Sequence, residues 1–243
     1  MDRLIYTAMT GAKHAMEQQA TTANNLANIN TTGFRAQLDS FRAVQVQGEG
    51  LPTRAFVVDS TVGADFRPGV IQQTGRELDV ALQSQGWLVV QAADGSEALT
   101  RNGSLQVNES GLLQTREGLA VMGDGGEISL PPDGQIAIAK DGTISIRSNT
   151  GSTSSVGRIK LVNPPEDQLV RGEDGLFRLK DGGTAEVDIN AVLVSGALES
   201  SNVNPVNEMV NMIAQARLYD MHIKLLQNAE QNAGKADQTL SLG

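Results

Sequence analysis

The chain has no cysteine, one tryptophan, two tyrosines, five phenylalanines and two histidines among 243 residues. Without cysteine there is neither a disulfide nor a thiolate metal site. With so few aromatics, any core must be built from Val, Leu, Ile and Ala. No apolar run reaches the roughly 18 residues that a membrane-spanning helix needs. No cluster of Lys and Arg offers the phosphate contacts on which nucleic-acid binding depends. The N-terminus lacks a charged segment leading into an apolar one, so export, if it occurs, is expected without a cleaved signal peptide.

Charge is unevenly spread. The net charge is −9. Residues 1–36 carry three basic and two acidic groups, and residues 200–243 carry three basic and four acidic groups. The middle therefore holds the whole excess of negative charge. Near-neutral ends can approach copies of themselves without strong repulsion, while an acidic middle stays solvated.

Both ends read as helices. Ile5, Met9, Ala12, Met16, Gln19, Ala23 and Leu26 alternate spacings of 4 and 3, an a/d seam over three heptads. At 1.5 Å per residue such a helix is about 40 Å long. It is expected to stop near Thr31-Thr32-Gly33. At the other end Met209, Met212, Ala216, Tyr219, Ile223, Leu226, Glu230 and Ala233 repeat the pattern. Asn204 is placed to cap this helix and Pro205 to open it. Val206, Val210 and Ile213 add a second stripe. Ala and Met make weak seams, so the ends are expected to order fully only when copies pack together.

The middle is punctuated by glycine. Gly95, Gly103, Gly111, Gly118, Gly126, Gly134, Gly142 and Gly151 recur every 7 to 9 residues, most in Asp-Gly, Asn-Gly or Ser-Gly pairs. These are hairpin signals, and the short apolar runs between them predict antiparallel strands. The opening pair is expected at Leu78 to Leu82 and Trp87 to Val90, the loop at Gly151 to Ser155. The fold class is thus α+β: a mostly antiparallel β domain (76–199) inserted between terminal helices (1–36 and 200–243) that pair as a coiled coil on assembly, with 37–75 an extended connector.

Chemistry finds little support. His14 and His222 lie in the helices with no third metal ligand and no nucleophile elbow. Gly123 to Gly126 and Asp181-Gly182-Gly183 lack the Lys-Ser/Thr of a phosphate loop. Glu166-Asp167 and Glu173-Asp174 read as solvated turns. No catalytic residue, metal site, cofactor or small-molecule substrate is expected. The asparagines stand out: Asn24, Asn25, Asn28 and Asn30 close the first helix, and Asn202, Asn204, Asn207 and Asn211 open the last. Asparagine suits helix interiors poorly. The cluster is either a pair of frayed ends or a polar ladder between subunits.

The stretch from Ala23 to Arg35, Ala-Asn-Asn-Leu-Ala-Asn-Ile-Asn-Thr-Thr-Gly-Phe-Arg, resembles the N-terminal signature of bacterial flagellar axial proteins, the rod, hook and hook-associated subunits. Gly196 to Asn204, with Glu208-Met209-Val210 and Arg217 to Tyr219, resembles the matching C-terminal signature. Gly75 to Val90, Thr100 to Ser104 and Gly111 to Met122 resemble the hairpins between. The short middle and the opening residues resemble the proximal-rod members most, with the distal-rod members as runner-up. The resemblance implies a structural subunit that leaves the cell unfolded through the flagellar type III export apparatus. It would assemble in the periplasm with other rod subunits through helices 2–34 and 202–231, and help to build a torque-transmitting shaft around the export channel. The assembly residues implied are Ile5, Met9, Ala12, Met16, Ala23, Asn24, Asn25, Leu26 and Asn28, with Asn202, Asn204, Met209, Met212, Ala216, Tyr219, Ile223 and Leu226. Two other classes compete. A periplasmic wall hydrolase needs an acid–base pair, and none can be nominated. A secreted β-domain binding module would have dispensable ends.

Overall fold

The computed structural model describes residues 3–45, 55–59, 63–83, 85–131, 134–148 and 152–241. The fold is α+β. Two long helices pack on each other and bracket, in sequence, an antiparallel β-rich middle. The chain forms two compact units. One comprises Met1–Asn28, Gln37–Ala64 and Val203–Gly243; the other comprises Ile29–Ala36 and Asp65–Asn202.

The helical unit contains α1 (Arg3–Ala27) and α2 (Pro205–Ser241). It also holds an antiparallel pair, Phe41–Gln45 with Ala55–Asp59, and a short pair, Gln37–Leu38 with Gly63–Ala64. The segment expected as an extended connector contains these strands. The Gly48 to Pro52 break falls outside the described residues. α1 ends at Ala27, before the expected Thr31-Thr32-Gly33 stop. At this end the Asn28 N–H is shared between the Asn24 and Asn25 carbonyls, and the Asn28 Nδ2 also donates to the Asn24 carbonyl at 2.9 Å.

The β unit is organised around a five-stranded antiparallel sheet. Its strands run in the order Leu161–Val162, Trp87–Gln91, Glu97–Thr100, Phe177–Leu179 and Leu169–Arg171. A three-stranded sheet, Gln135–Ile138, Thr143–Arg147 and Thr153–Arg158, and several two-stranded pairs complete it. The turns form where the sequence asks for them. At Asp94-Gly95 the glycine takes φ +82° and the Asp94 carboxylate accepts the Ser96 N–H at 2.9 Å. In Thr143–Arg147 the alternate residues Ile144 and Ile146 are buried, as period two requires. With Leu88, Leu105, Leu113 and Leu161 they build an aliphatic core. Three of the aromatics gather in one place. Trp87 and Phe177 lie 4.7 Å apart between ring centroids, and Phe66 meets the Trp87 edge at 6.1 Å.

Two expectations are corrected. The first strands do not pair with each other. Val80–Leu82 pairs with Leu193–Ser195, and Trp87–Gln91 with Glu97–Thr100 and Leu161–Val162. Both strands are buried on both faces, so each needs cover that a lone hairpin could not supply. Thr153 to Ser155, read as loop, opens an edge strand with exposed Ser and Thr side chains. Ile144→Ala is expected to destabilise the β unit by about 2–5 kcal/mol, measured by urea unfolding followed through Trp87 emission. An unchanged midpoint would show that Ile144 is not part of a packed core.

Candidate subunit-assembly site

The sequence determines which side of α1 faces α2. Ala8, Ala12, Ala15, Thr22 and Asn25 are buried. The three alanines are small and share the face of Gly11, so α2 can approach closely there. At Gly11 the approach is closest: a methyl group there would stand 2.3 Å from the His222 ring. His222 therefore sits as a knob over a hole that only glycine leaves open. Its Nδ1 is buried and has no hydrogen-bond partner among the described residues. On α2, Met212, Ala216, Tyr219, Ile223 and Leu226 are half-buried, along one stripe. His14 is held within its own helix, 3.0 Å from the Glu17 carboxylate.

The large apolar side chains of α1 lie elsewhere. Of the seam expected from the sequence, Ala12 is buried and Leu26 half-buried, while Ile5, Met9, Met16 and Ala23 are exposed. Met9 and Met16 expose 54% and 63% of their surface, and Tyr6 62%. α2 has an outer stripe of its own: Val206, Met209, Val210, Ile213, Met221 and Leu225 are all exposed. One helix pair uses the small-residue side of α1 and leaves its large-residue side open.

Four of the asparagines, Asn25, Asn28, Asn202 and Asn204, act on the chain's own backbone. Asn25, buried, donates from Nδ2 to the Gln37 carbonyl at 3.0 Å and accepts the Gln37 N–H at 2.8 Å, imitating a paired strand residue. Asn204 caps α2, its Oδ1 accepting the N–H groups of Val206 and Asn207 at 3.0 and 3.2 Å. In the β unit, the Asn202 Oδ1 accepts the Ala36 N–H at 2.7 Å, and its Nδ2 donates to the carbonyls of Asp65 and Arg67. Asn24 is exposed and Asn28 half-buried.

A buried ionic cluster lies beside Asn202 in the chain. Glu199, 1% exposed, contacts Arg35 at 2.7 Å and Arg101 at 3.0 Å; the arginines are 1% and 5% exposed. The Gly69 N–H donates to the same carboxylate, and the Gly33 N–H to the Glu199 carbonyl. Gly33 takes φ +68° and lies so close to the Arg101 backbone that a Cβ would meet it at 2.3 Å. Arg171 donates to the Arg35 carbonyl and stacks on Phe34, 4.4 Å from the ring centroid. Burial pushes the Arg101 guanidinium down from its ordinary value; Glu199 opposes this and Arg35 adds to it. Sequence reading gave these charges no role. The available signal was Glu199 standing alone among Ala197, Leu198 and Ser200 in a strand.

Both signatures thus meet in the β unit through Glu199 and Asn202, and both lead into the paired helices. Matches to known families cover these parts. Residues 5–35 match "Flagella basal body rod protein", 81–146 match "Flagellar hook protein FlgE/F/G D1 domain", and 194–239 match "Flagellar basal body rod FlgEFG protein C-terminal". The flagellar basal-body rod protein FlgF of Escherichia coli (strain K12) is 49% identical over 250 aligned residues spanning all of both chains. Its namesake from Salmonella typhimurium gives the same identity and coverage. FlgG of Agrobacterium fabrum is 30% identical, over 98% of this chain and 99% of that relative. This chain belongs to the flagellar basal-body rod protein family. It is a structural subunit of the basal-body rod and assembles with other rod subunits. Among the described residues no helix is long and apolar enough to cross a membrane.

Glu199→Gln leaves two buried guanidiniums facing a neutral amide. It is expected to lower the stability of the full chain by about 3–5 kcal/mol, measured by urea unfolding. A loss below about 1 kcal/mol would mean that the carboxylate is dispensable.

Proposed function

We propose that this subunit builds the proximal part of the rod, with α1 and α2 as its assembly element and the β unit as a separately folded body. The supporting observation is the outer face of the helix pair. Ile5, Met9 and Met16 on α1, and Val206, Met209, Val210 and Ile213 on α2, are large, apolar and exposed. Covering a side chain of this kind stabilises by about 1.5–3 kcal/mol when burial is complete. A second copy or a related rod subunit supplies such cover through the same kind of helix. The helical ends are close to neutral and the excess acidity lies between them, which favours helix-to-helix stacking of like chains.

The assembly residues are then of two sorts. Ala12, Asn25, Leu26, Met212, Ala216, Tyr219, Ile223 and Leu226 shape the helix pair, and Asn28, Asn202 and Asn204 its approaches. Ile5, Met9, Met16, Ala23, Asn24 and Met209 face outward to neighbours. The 49% identity to the Escherichia coli and Salmonella typhimurium FlgF proteins, against 30% to the Agrobacterium fabrum FlgG, supports the proximal position. Passage through the flagellar type III export apparatus to the periplasm, and a role in transmitting torque around the export channel, complete this reading.

Ile213→Asp places a charge on the outer stripe, and Leu226→Asp places one in the seam. Both are expected to abolish rod assembly and swimming while leaving the urea midpoint of the β unit, read at Trp87, unchanged. Normal motility with Ile213→Asp would contradict the outer stripe as a subunit contact. Normal motility after removal of residues 202–243 would overturn the whole reading.

A further inference from the structure

α2 covers one face of α1 and leaves the other bare. Ala8, Ala12 and Ala15 lie on the buried face. On the bare face Met9 and Met16 are exposed, Lys13 stands between them, and the exposed Ala20 and Ala23 follow toward the helix end. Lys13 is 71% exposed and bridged to Glu17 on its own helix at 3.5 Å, a contact that leaves most of its charge in water. α2 is bare on the side away from its own seam. There Val210, Ile213, Met221 and Leu225 are exposed. Arg217 and Asp220 lie among them, exposed and in no ion pair among the described residues. The chain leaves α1 and enters α2 through residues that bond to each other, Gly33 with Glu199 and Phe34 with Asn202, so the two helices run antiparallel.

A bare face can meet a copy of itself or a different face. Self-pairing closes a two-fold dimer and stops, whereas pairing of unlike faces propagates. A rod needs the second, so this inference rests on the assembly reading above. We infer that the bare face of α1 receives the bare face of α2 from a second copy of this chain, antiparallel, with Lys13 against Asp220 and Glu17 against Arg217. Charge selects the register. α2 carries Arg217, Asp220 and Lys224 in succession here, so sliding by one turn in either direction sets Lys13 against a like charge. Sliding by two turns sets Lys13 against Ile213, or Asp220 and Arg217 against Ala20 and Ala23. In the register that is left, size agrees as well as charge. Ile213 and Val210 fall on the small Ala20 and Ala23, and Met9 falls beside Leu225. The same register holds inside the chain, where Gly11 meets His222. α1 then carries its own α2 on its alanines and a neighbour's α2 on its methionines.

The chain has no cysteine, so one introduced cysteine per chain can be linked only to another chain. Packed helices lie about 8–10 Å apart, within reach of a short bis-maleimide. Basal bodies from cells that produce both a Met9→Cys and a Leu225→Cys full-length chain are expected to yield a mixed covalent dimer in excess of either homodimer, read by immunoblot. Ala20→Cys with Ile213→Cys should do the same. Lys13→Asp and Asp220→Lys each set like charges in contact and are expected to cut swimming by about tenfold or more, while both changes in one chain restore it to within about twofold. A predominance of Met9→Cys homodimers would mean that like faces meet. That result, no crosslink from either mixture, or no rescue by the double reversal would each overturn the proposal. If Ile213→Asp still abolishes swimming in that case, the outer stripe remains a subunit contact and only this partner and register are lost.

Discussion

One carboxylate ties together the parts of the β unit that are furthest apart in sequence. Glu199 lies near the C-terminal helix in the chain, Arg35 follows the N-terminal helix, and Arg101 sits in a mid-chain loop. All are buried, where attraction between charges is strong and an unmatched charge is costly. The backbone follows the charges. Gly33 donates to the Glu199 carbonyl, Asn202 receives Ala36, and Gly69 donates to the Glu199 side chain. The two signature motifs are therefore halves of one buried junction within the β unit. In the chain, each half is followed or preceded by one of the long helices.

The helix pair shows why such a subunit assembles. α1 is two-sided. Its small residues, with Gly11 beneath His222, admit α2 at close range. Its large ones, Tyr6, Met9 and Met16, are left outside. A helix that packed its methionines inward would satisfy itself and have little left to offer a neighbour. Packing the alanines inward uses the smaller apolar area within the chain and leaves the larger area for contacts between chains. Methionine suits that outer role, since its flexible thioether adapts to more than one packing environment.

Much of this was legible in the sequence. Both helices, the Asn204 cap with Pro205 behind it, the glycine-timed turns and the inward Ile144 and Ile146 follow from periodicity and turn chemistry. The seam of α1 was legible only in part. Heptad counting favours large residues, so it selected Met9 and Met16, whereas close approach selects Ala8, Ala12 and Ala15. Strand partners such as Val80–Leu82 with Leu193–Ser195 were not legible, because period two fixes a strand's faces and says nothing about which distant strand lies beside it. The asparagines stand out by abundance, but their roles do not follow from it. Composition cannot reveal that Asn25 imitates a strand residue for Gln37, nor that Glu199 faces two arginines.

The central claim is that Arg35 and Glu199 stabilise the fold jointly, and a double-mutant cycle tests it most directly. Arg35→Met, Glu199→Gln and the combined variant are compared with the unaltered chain by urea unfolding. A joint role gives a coupling energy of about 1.5–3 kcal/mol, with the double variant losing much less than the sum of the singles. Additivity within about 0.5 kcal/mol would contradict it.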